Sequence, residues 1–315
     1  MRRFHFLALG AFITASGALA VDGVVEINQA RALAGNVTPG DMPGFPVTLS
    51  RSGSYRLTSN LDVRALASPE NITAISVTTD DVTIDMNGFA ILGPTICSGA
   101  PVTFCTPSGS GNGIDAGSNS GFRAFNGTIR GMGSRGILAG GRARLEWLRV
   151  ESNRYDGITL GNSNSSIVSH CIASSNGQHG VNCAGTYGGS ISFTTAESNM
   201  IDGIVGGQAS AITDCTAIRN GGNGLAMFYG GGTIRNSVSH NNTGAGINTT
   251  VIGANMLGAV IVGNSVRSNA GGGLVLATGA GADGYSGNVL TGNSVAQITG
   301  GVSMGTNLCN GAPCP

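Results

Sequence analysis

Short apolar segments alternate with polar, glycine-rich turns along most of the chain. A Gly followed by an aliphatic residue recurs every 21 to 28 positions, and the segment after it alternates apolar and polar or small residues. Such short alternating segments favour β-strands, because a helix needs ten or more periodic residues. The nine pairs are Gly113-Ile114, Gly136-Ile137, Gly157-Ile158, Gly180-Val181, Gly203-Ile204, Gly224-Leu225, Gly246-Ile247, Gly273-Leu274 and Gly301-Val302.

A second marker, an Asn four residues before the Gly, stays in step with the first. Self-similarity at a fixed period of this length indicates a solenoid. Equivalent residues of successive rungs then lie about 4.8 Å apart, and stacked Asn side chains form a hydrogen-bonded ladder. The sequence therefore predicts an all-β parallel β-helix of about ten rungs of about 22 residues. The Asn marker occurs at Asn153, Asn176, Asn199, Asn220, Asn242 and Asn269.

Two finer expectations follow from the repeat. The phrase Asn-Ser-Val recurs, which predicts a further stack of Asn236, Asn264 and Asn293. The Gly of each rung is expected where the backbone needs a positive φ.

The ends of the chain differ in composition from the repeats. Residues 1–20 have a positive start, an apolar stretch and the small-residue pattern Ala18-Leu19-Ala20, which predicts a signal peptide cleaved near Ala20. We expect an N-terminal cap over 21–43, the β-helix over 44–304 and a C-terminal cap or tail over 305–315. Residues 93–112 read as a loop insertion rich in Pro, Gly and Ser. The predicted location is outside the cytoplasm, either secreted or in the periplasm or cell envelope.

Charge and cysteine usage limit the classes of partner and site that we expect for this chain. The formal net charge is zero, all 16 basic residues are Arg, and no basic stripe marks a nucleic-acid site. No stretch after the N-terminus is long and apolar enough to span a membrane. No Cys-x-x-Cys pair suggests a metal site, and no cofactor is expected. Local disulfides are predicted for Cys97–Cys105 and Cys309–Cys314, whereas Cys171, Cys183 and Cys215 are expected to be buried thiols.

Three motifs carry a family resemblance over most of residues 44 to 315. These are the run from Val82 to Phe89 (Val-Thr-Ile-Asp-Met-Asn-Gly-Phe), the repeated Asn-x-x-x-Gly-Ile and the ending Asn-Leu-Cys-Asn-Gly at 307–311. The chain resembles bacterial secreted right-handed parallel β-helix repeat proteins of the pectate-lyase-like and periplasmic copper-site-assembly-like superfamily. This resemblance implies a right-handed solenoid. It leaves the activity open, because members include lyases, hydrolases, epimerases and proteins with no demonstrated reaction.

One stacked column places polar side chains directly before the repeat Gly: Arg135, Asp156, His179, Asp202 and Asn223. Asp156 and Asp202 are predicted two rungs apart, about 9.6 Å, at the upper edge of the carboxylate separation of inverting glycosidases. The column is thus a candidate catalytic or sugar-binding site. The alternative interpretation is ordinary turn chemistry, since Asp, Asn and His are common before Gly.

Outward positions supply two further candidates. Trp147, the only Trp, is predicted to share a column with His170 and Phe193, which offers an aromatic surface for sugar rings or packs under a loop. Glu151 and Glu197 recur two rungs apart near Arg149 and Arg154, where a solvated surface is the simpler interpretation.

These features favour an exported, non-catalytic protein that binds glycan or serves as an envelope or surface scaffold. The missing Lys removes the usual base of lyases with this fold, and the rungs from 136 to 246 show almost no long loops to wall a cleft. The alternative is a polysaccharide hydrolase or lyase that uses Asp156, His179 and Asp202. A metal-loading periplasmic helper rests on family analogy alone.

Overall fold

The fold is a solenoid of short parallel strands with almost no helix, as predicted. The computed structural model describes residues 23–161, 164–251 and 257–314. The predicted signal peptide, residues 1–20, lies outside the described residues. Each rung contributes strands to three faces, and successive rungs pair in parallel.

The first face begins each regular rung. Ile114 pairs with Ile137, and Ile137 pairs with Ile158, so the Gly-aliphatic repeat sets the register. Eight strands, from Ile114–Ala116 to Leu274–Val275, follow this repeat, so the predicted count of about ten rungs is slightly high for the regular part. Two opening strands and one closing strand complete the face within the described residues. The strands are Val47–Leu49, Ile75–Val77, Ile114–Ala116, Ile137–Ala139, Ile158–Leu160, Val181–Asn182, Ile204–Gly206, Leu225–Phe228, Ile247–Val251, Leu274–Val275 and Ile298–Thr299.

The second and third faces form one continuous sheet that bends at a corner. Two long strands, Arg123–Arg130 and Arg144–Glu151, run through this corner. The other second-face strands are Val25–Ile27, Gly53–Leu57, Val82–Asp85, Ile167–Ser169, Ser190–Ser192, Ala211–Thr213, Thr233–Arg235, Val260–Val262, Gly284–Ser286 and Val302–Ser303. The other third-face strands are Leu61–Asp62, Ala90–Leu92, Ile172–Ser174, Thr195–Glu197, Thr216–Ile218, Val238–His240, Ser265–Arg267, Val289–Thr291 and Leu308–Cys309.

The remaining elements lie near the ends and in the insertion. A helix, Gln29–Ala34, begins at the N-cap Asn28, and two 3-10 turns span Pro69–Asn71 and Gly279–Gly281. The insertion forms an antiparallel hairpin of Ile96–Gly99 and Val102–Thr106. The strand Ala312–Pro313 pairs antiparallel with Leu308–Cys309. None of the helices in the described residues has the length and hydropathy that a membrane crossing needs.

Aliphatic side chains fill the interior in columns. Ile114, Ile137 and Ile158 are fully buried and continue into later rungs as Val181, Ile204, Leu225, Ile247 and Leu274. Stacking like on like lets each new rung bury the apolar face of the one before it, which is the main driving force for a solenoid.

The repeat glycines are not explained by the positive φ that the sequence analysis expected. None of the eight stacked repeat glycines from Gly113 to Gly273 has a positive φ. A Cβ on Gly157 would instead lie 2.7 Å from the carbonyl oxygen of Gly180 and 2.7 Å from the side-chain nitrogen Nδ2 of Asn176. The glycines are therefore needed for close approach between rungs.

The Asn ladder is confirmed. Oδ1 of Asn199 accepts hydrogen bonds from the backbone N–H and the Nδ2 of Asn176, each at 3.0 Å, and its own Nδ2 donates to the Ala173 carbonyl and to Asn220. Every donor and acceptor of the buried amide is thus used, which satisfies the rule for buried polar groups. The ladder runs through Asn153, Asn176, Asn199, Asn220, Asn242, Asn269 and Asn293.

The predicted stack of Asn236, Asn264 and Asn293 is wrong. Asn293 belongs to the ladder that begins at Asn153, whereas Asn264 stacks on Asn288, which in turn stacks on Asn307. Asn236 lies at the corner one residue before Ser237, and Ser237 is the residue aligned with Asn264. Register is set by strand pairing, and a three-residue phrase of common residues does not fix it.

The ninth repeat marker, Gly301-Val302, is also displaced. Leu274 pairs with Ile298, so Gln297 occupies the place of the expected Gly. Val302 pairs with Gly284 on the second face instead. The Gln is tolerated because no further rung stacks on this position in the described residues.

Candidate functional site

The polar column forms as predicted, with one residue per rung. The repeat glycines donate to its carbonyls: Gly136 to Asp156, Gly157 to His179 and Gly180 to Asp202, at 3.0 to 3.1 Å. Its side chains also bond from rung to rung. Oδ1 of Asp156 accepts from the backbone N–H of His179 at 3.1 Å, and Nδ1 of His179 accepts from the N–H of Asp202 at 3.3 Å.

Both carboxylates of this column are buried, and each accepts hydrogen bonds from its neighbours. Asp156 is 2% exposed, and its Oδ2 accepts from Thr159 at 2.8 Å and from Asn182 at 3.1 Å, with Nε of Arg135 at 3.9 Å. Asp202 is 6% exposed, and its Oδ1 accepts twice from Asn223. The arrangement holds successive rungs together through charge-assisted hydrogen bonds.

The aromatic column lies at the corner between the second and third faces. The polar column lies elsewhere, directly before the first-face strands. The ring centroids of Trp147 and His170 are 4.1 Å apart, and those of His170 and Phe193 are 4.9 Å apart, with interplanar angles of 20° and 21°. Trp147 is 62% exposed and Phe193 is 56% exposed. The expectation of a shared outward column is confirmed, and within the part of the chain that the structure describes the two outer rings of the stack stay more than half exposed.

The backbone at this corner is left-handed in eight successive rungs, from Asn126 to Gly287. Trp147, His170 and Phe193 have φ of 55°, 54° and 49°. For a bulky residue this region is an outlier that costs about 1 to 2 kcal/mol. The equivalent positions in other rungs carry the residues that tolerate it: Asn126, Asp214, Asn236, Gly263 and Gly287.

His170 stacks on one side of the Trp147 indole. On the other side lies the preceding rung, in which the equivalent residue is Asn126, followed by Gly127. A shallow depression of about 350 Å³ forms there, lined also by Asn126 and Arg149. An apolar ring face beside a guanidinium and amide groups is a surface on which a sugar ring can stack and donate hydrogen bonds.

The hairpin is the feature that sequence reasoning missed. The sequence predicted a loop and its local disulfide, and Cys97 and Cys105 are disulfide-bonded, as are Cys309 and Cys314. Nothing in the sequence indicates where the hairpin docks: the backbone N–H of Val102 donates to the carbonyl of Ser198, about a hundred residues later. Three of the rungs expected to lack walls are thus in contact with the hairpin, at Asn153, Gly177 and Ser198.

Reactive and metal-binding groups are sparse. Cys171, Cys183 and Cys215 are free and buried, and burial raises the pKa of the Cys171 and Cys215 thiols to about 12. Within residues 23–161, 164–251 and 257–314, no three His, Cys, Asp or Glu side chains are grouped as metal ligands.

Residues 112–257 match the family model described as "Right handed beta helix region". The fold of this chain is a right-handed parallel β-helix. The β-helix is similar to the A-module of mannuronan C-5 epimerase AlgE4 of Azotobacter vinelandii, with 16% identity, coverage of 83% of this chain and 87% of the other, and a TM-score of 0.59.

A mutant of the periplasmic alginate epimerase AlgG also aligns with the β-helix, at 13% identity over 80% of this chain and 70% of the other, with a TM-score of 0.51. At such identities the likeness establishes the fold alone. No curated protein sequence matches the chain significantly.

Proposed function

We propose that this β-helix protein is exported and binds glycan without catalysing a reaction, with Trp147, His170 and Phe193 as its sugar-contacting surface. The observation that carries the proposal is the exposed aromatic column held in a strained backbone. Strain of this kind clusters at functional sites. The two epimerases of similar fold, named for mannuronan and alginate, make a polysaccharide the first ligand to test.

Export is part of the proposal. Two disulfides are typical of oxidising compartments outside the cytoplasm. N-terminal sequencing of the mature protein should begin at Val21. A mature protein that begins at Met1 would contradict export through the predicted signal peptide.

Because Trp147 is the only Trp, its fluorescence reports directly on the proposed surface. Titration with mannuronan, polygalacturonate and a neutral glucan should change the emission for at least one polymer. By calorimetry, Trp147→Ala and Phe193→Ala should both weaken that binding. Tyr187→Ala is the matched control, since Tyr187 is 55% exposed but lies at a different turn. Equal affinity of all three variants, or no binding by the unsubstituted protein, would overturn the proposal.

The second candidate is a polysaccharide-active enzyme that uses Asp156, His179 and Asp202. The epimerases of similar fold favour it, and the saturated hydrogen bonding of Asp156 speaks against it. Purified protein should show no turnover of uronate or neutral polysaccharides. Turnover that is abolished by Asp156→Asn or Asp202→Asn would replace our proposal with this one.

A further inference from the structure

The two ends of the solenoid differ in how their outermost strands are closed. At the N-terminal end, side chains bond to the outer edges of the strands. On the first face, Asp41 accepts from the backbone N–H of Thr48 at 2.7 Å, and Thr38 donates to the carbonyl of the same residue at 2.6 Å. On the third face, Gln29 accepts from the N–H of Asp62 at 2.8 Å and donates to its carbonyl at 3.0 Å. A further strand could pair there only by displacing these side chains.

At the C-terminal end, the edge of the second face stays open. The N–H of Val302 donates back to the carbonyl of Asp283 at 2.7 Å. The N–H of Met304 donates back to the carbonyl of Tyr285 at 2.9 Å. Backbone groups alternate in direction along a strand, so the N–H and C=O of Ser303 face away from the preceding rung. Neither group has a hydrogen-bond partner within residues 23–161, 164–251 and 257–314.

The edge of the first face is open in the same way. The carbonyls of Gln297 and Thr299 accept from the preceding rung, each at 2.9 Å, so the N–H and C=O of Ile298 between them face the open side. Only the third face is closed here. Its last strand, Leu308–Cys309, pairs with Ala312–Pro313, and proline has no N–H to offer to a further strand.

The interior of the last rung is finished, in contrast to its edges. Nδ2 of Asn293 donates to Oε1 of Gln297 at 2.8 Å, within its own rung. Nδ2 of Asn307 donates to the carbonyl of Gly305 at 2.9 Å. Both asparagine ladders are therefore capped by neighbouring residues of the chain. This end is suited to contact between strand edges and not to continuation of the ladders by another rung.

The same end lacks charge and exposes apolar side chains. None of residues 284–315 has a charged side chain, whereas residues 23–64 at the other end contain seven. Natural proteins protect open edges with charges, proline or a covering element, and the open edges at this end have none of these among the described residues. Depletion of charge is typical of the centre of a protein interface. Between residues 289 and 304, the side chains exposed by 46 to 75% are Val289, Val295, Val302 and Met304.

We propose that this end, with the open edges at Ile298 and Ser303 and the side chains of Val302 and Met304, is the interface of a dimer in which the C-terminal ends of two copies of the chain meet. A two-fold contact sets the same patch of both copies against each other, so any charge on it faces a like charge. An uncharged apolar end avoids that repulsion, which makes a second copy the occupant that fits it. With the two-fold axis perpendicular to the second-face strands, the two Ser303 edges run antiparallel and can exchange N–H···O bonds.

The structure of the N-terminal end limits this association to two copies. Its second-face edge is also capped, since Arg31 donates to the carbonyl of Glu26 at 3.0 Å. Head-to-tail stacking, which would build an open filament, is therefore disfavoured. A rung of about 22 residues at ~3.3 Å per residue encloses about 400 Å² at the end of the solenoid. Two such ends bury about 800 Å², less than the roughly 1,200 to 2,000 Å² of stable complexes, so we expect a weak dimer.

The oligomeric state of the protein in solution tests the inference. Sedimentation velocity between about 1 μM and 1 mM should show the average mass rising toward twice that of the monomer. Val302→Arg should weaken the dimer by at least about tenfold, because each added charge meets its own copy across the interface. Val24→Arg is the matched control, since Val24 is 48% exposed but lies at the N-terminal end. This control should dimerise normally, and circular dichroism verifies that both variants are folded.

Edge pairing has a separate readout that needs no variant. Hydrogen exchange of the unsubstituted protein should show that raising the concentration protects the amides of residues 298–304 and leaves those of residues 23–62 unchanged. Ser303→Pro removes the N–H that faces the open side and should weaken the dimer without changing the fold, because proline is tolerated on an edge strand.

A protein that stays monomeric up to about 1 mM would overturn the inference. Species that grow beyond the dimer with concentration would also overturn it, because they require head-to-tail contacts. A dimer that Val302→Arg does not weaken, or that Val24→Arg weakens equally, would lie elsewhere on the surface and would count against it in the same way. Glycan binding has no part in these measurements, so their results are independent of the proposed function.

Discussion

The polar column and the aromatic column are both stacks of equivalent residues, but they differ in burial and in their effect on stability. In each, one residue per rung stacks on its equivalent in the next rung. Asp156 is buried and every oxygen of its carboxylate accepts a hydrogen bond. Trp147 is mostly exposed, and it holds a backbone conformation that a bulky side chain disfavours. The hydrogen bonds of the polar column stabilise the fold, whereas the backbone conformation of the aromatic column destabilises it.

The corner itself does not require aromatic residues, because the same corner position in other rungs is Asn, Asp or Gly. Three consecutive rungs depart from that rule, and their rings stack on one another. Stacking offsets part of the strain, at about 0.5 to 1.5 kcal/mol per pair. What remains uncompensated is the exposed apolar area, and that is the feature a ligand would cover.

The largest expected effect comes from breaking the polar column. Asp156→Ala removes the acceptor of the His179 N–H, the Thr159 hydroxyl and the Asn182 amide, and should lower the free energy of unfolding by about 2 to 4 kcal/mol. Urea denaturation followed by far-UV circular dichroism measures this. The control is Asp214→Gly at the exposed corner, where Gly keeps the positive φ. A loss below about 1 kcal/mol for Asp156→Ala would mean that the column is not structural.

A smaller effect of different kind is expected in the aromatic column. Phe193→Asn relieves about 1 kcal/mol of backbone strain and loses about as much ring stacking, so stability should stay within about 1 kcal/mol of the unsubstituted protein. Glycan binding should fall, since the ring is gone. Denaturation and calorimetry on the same samples separate the two results.

The reverse exchange sharpens this prediction. Asn236→Phe places a ring at the same corner without an aromatic neighbour on either side, so it should destabilise the protein by about 1 to 2 kcal/mol. If Phe193→Asn is strongly destabilising while Asn236→Phe is neutral, the corner does not carry the strain that its dihedral angles indicate.

Periodicity made the columns predictable, because a residue that recurs about every 22 positions must stack. It therefore gave the Asn153 ladder and both candidate columns correctly. It failed where local phrases were read without strand pairing, as for Asn236, and where a Gly-aliphatic pair lay near the expected position but on another face, as for Gly301. The docking of Val102 on Ser198 was beyond sequence reasoning, since a contact between an insertion and a distant rung leaves no periodic trace.

The smallest expected effect concerns the thiols next to the aromatic corner. Cys171 follows His170 directly but points inward, where its Sγ lies 3.3 Å from the Ser169 carbonyl. Burial disfavours the charged thiolate and raises the pKa of Cys171 to about 12, so at pH 8 almost no nucleophile is present. Iodoacetamide should not label Cys171 or Cys215 in the native protein, but should label both in guanidinium chloride, as read by mass spectrometry. Trp147→Ala should not change this, because the inward packing and not the exposed ring keeps the thiol from water. Labelling of native Cys171 in that variant would show that the exposed column also supports the core, and the contrast between the two columns would then be weaker than we infer.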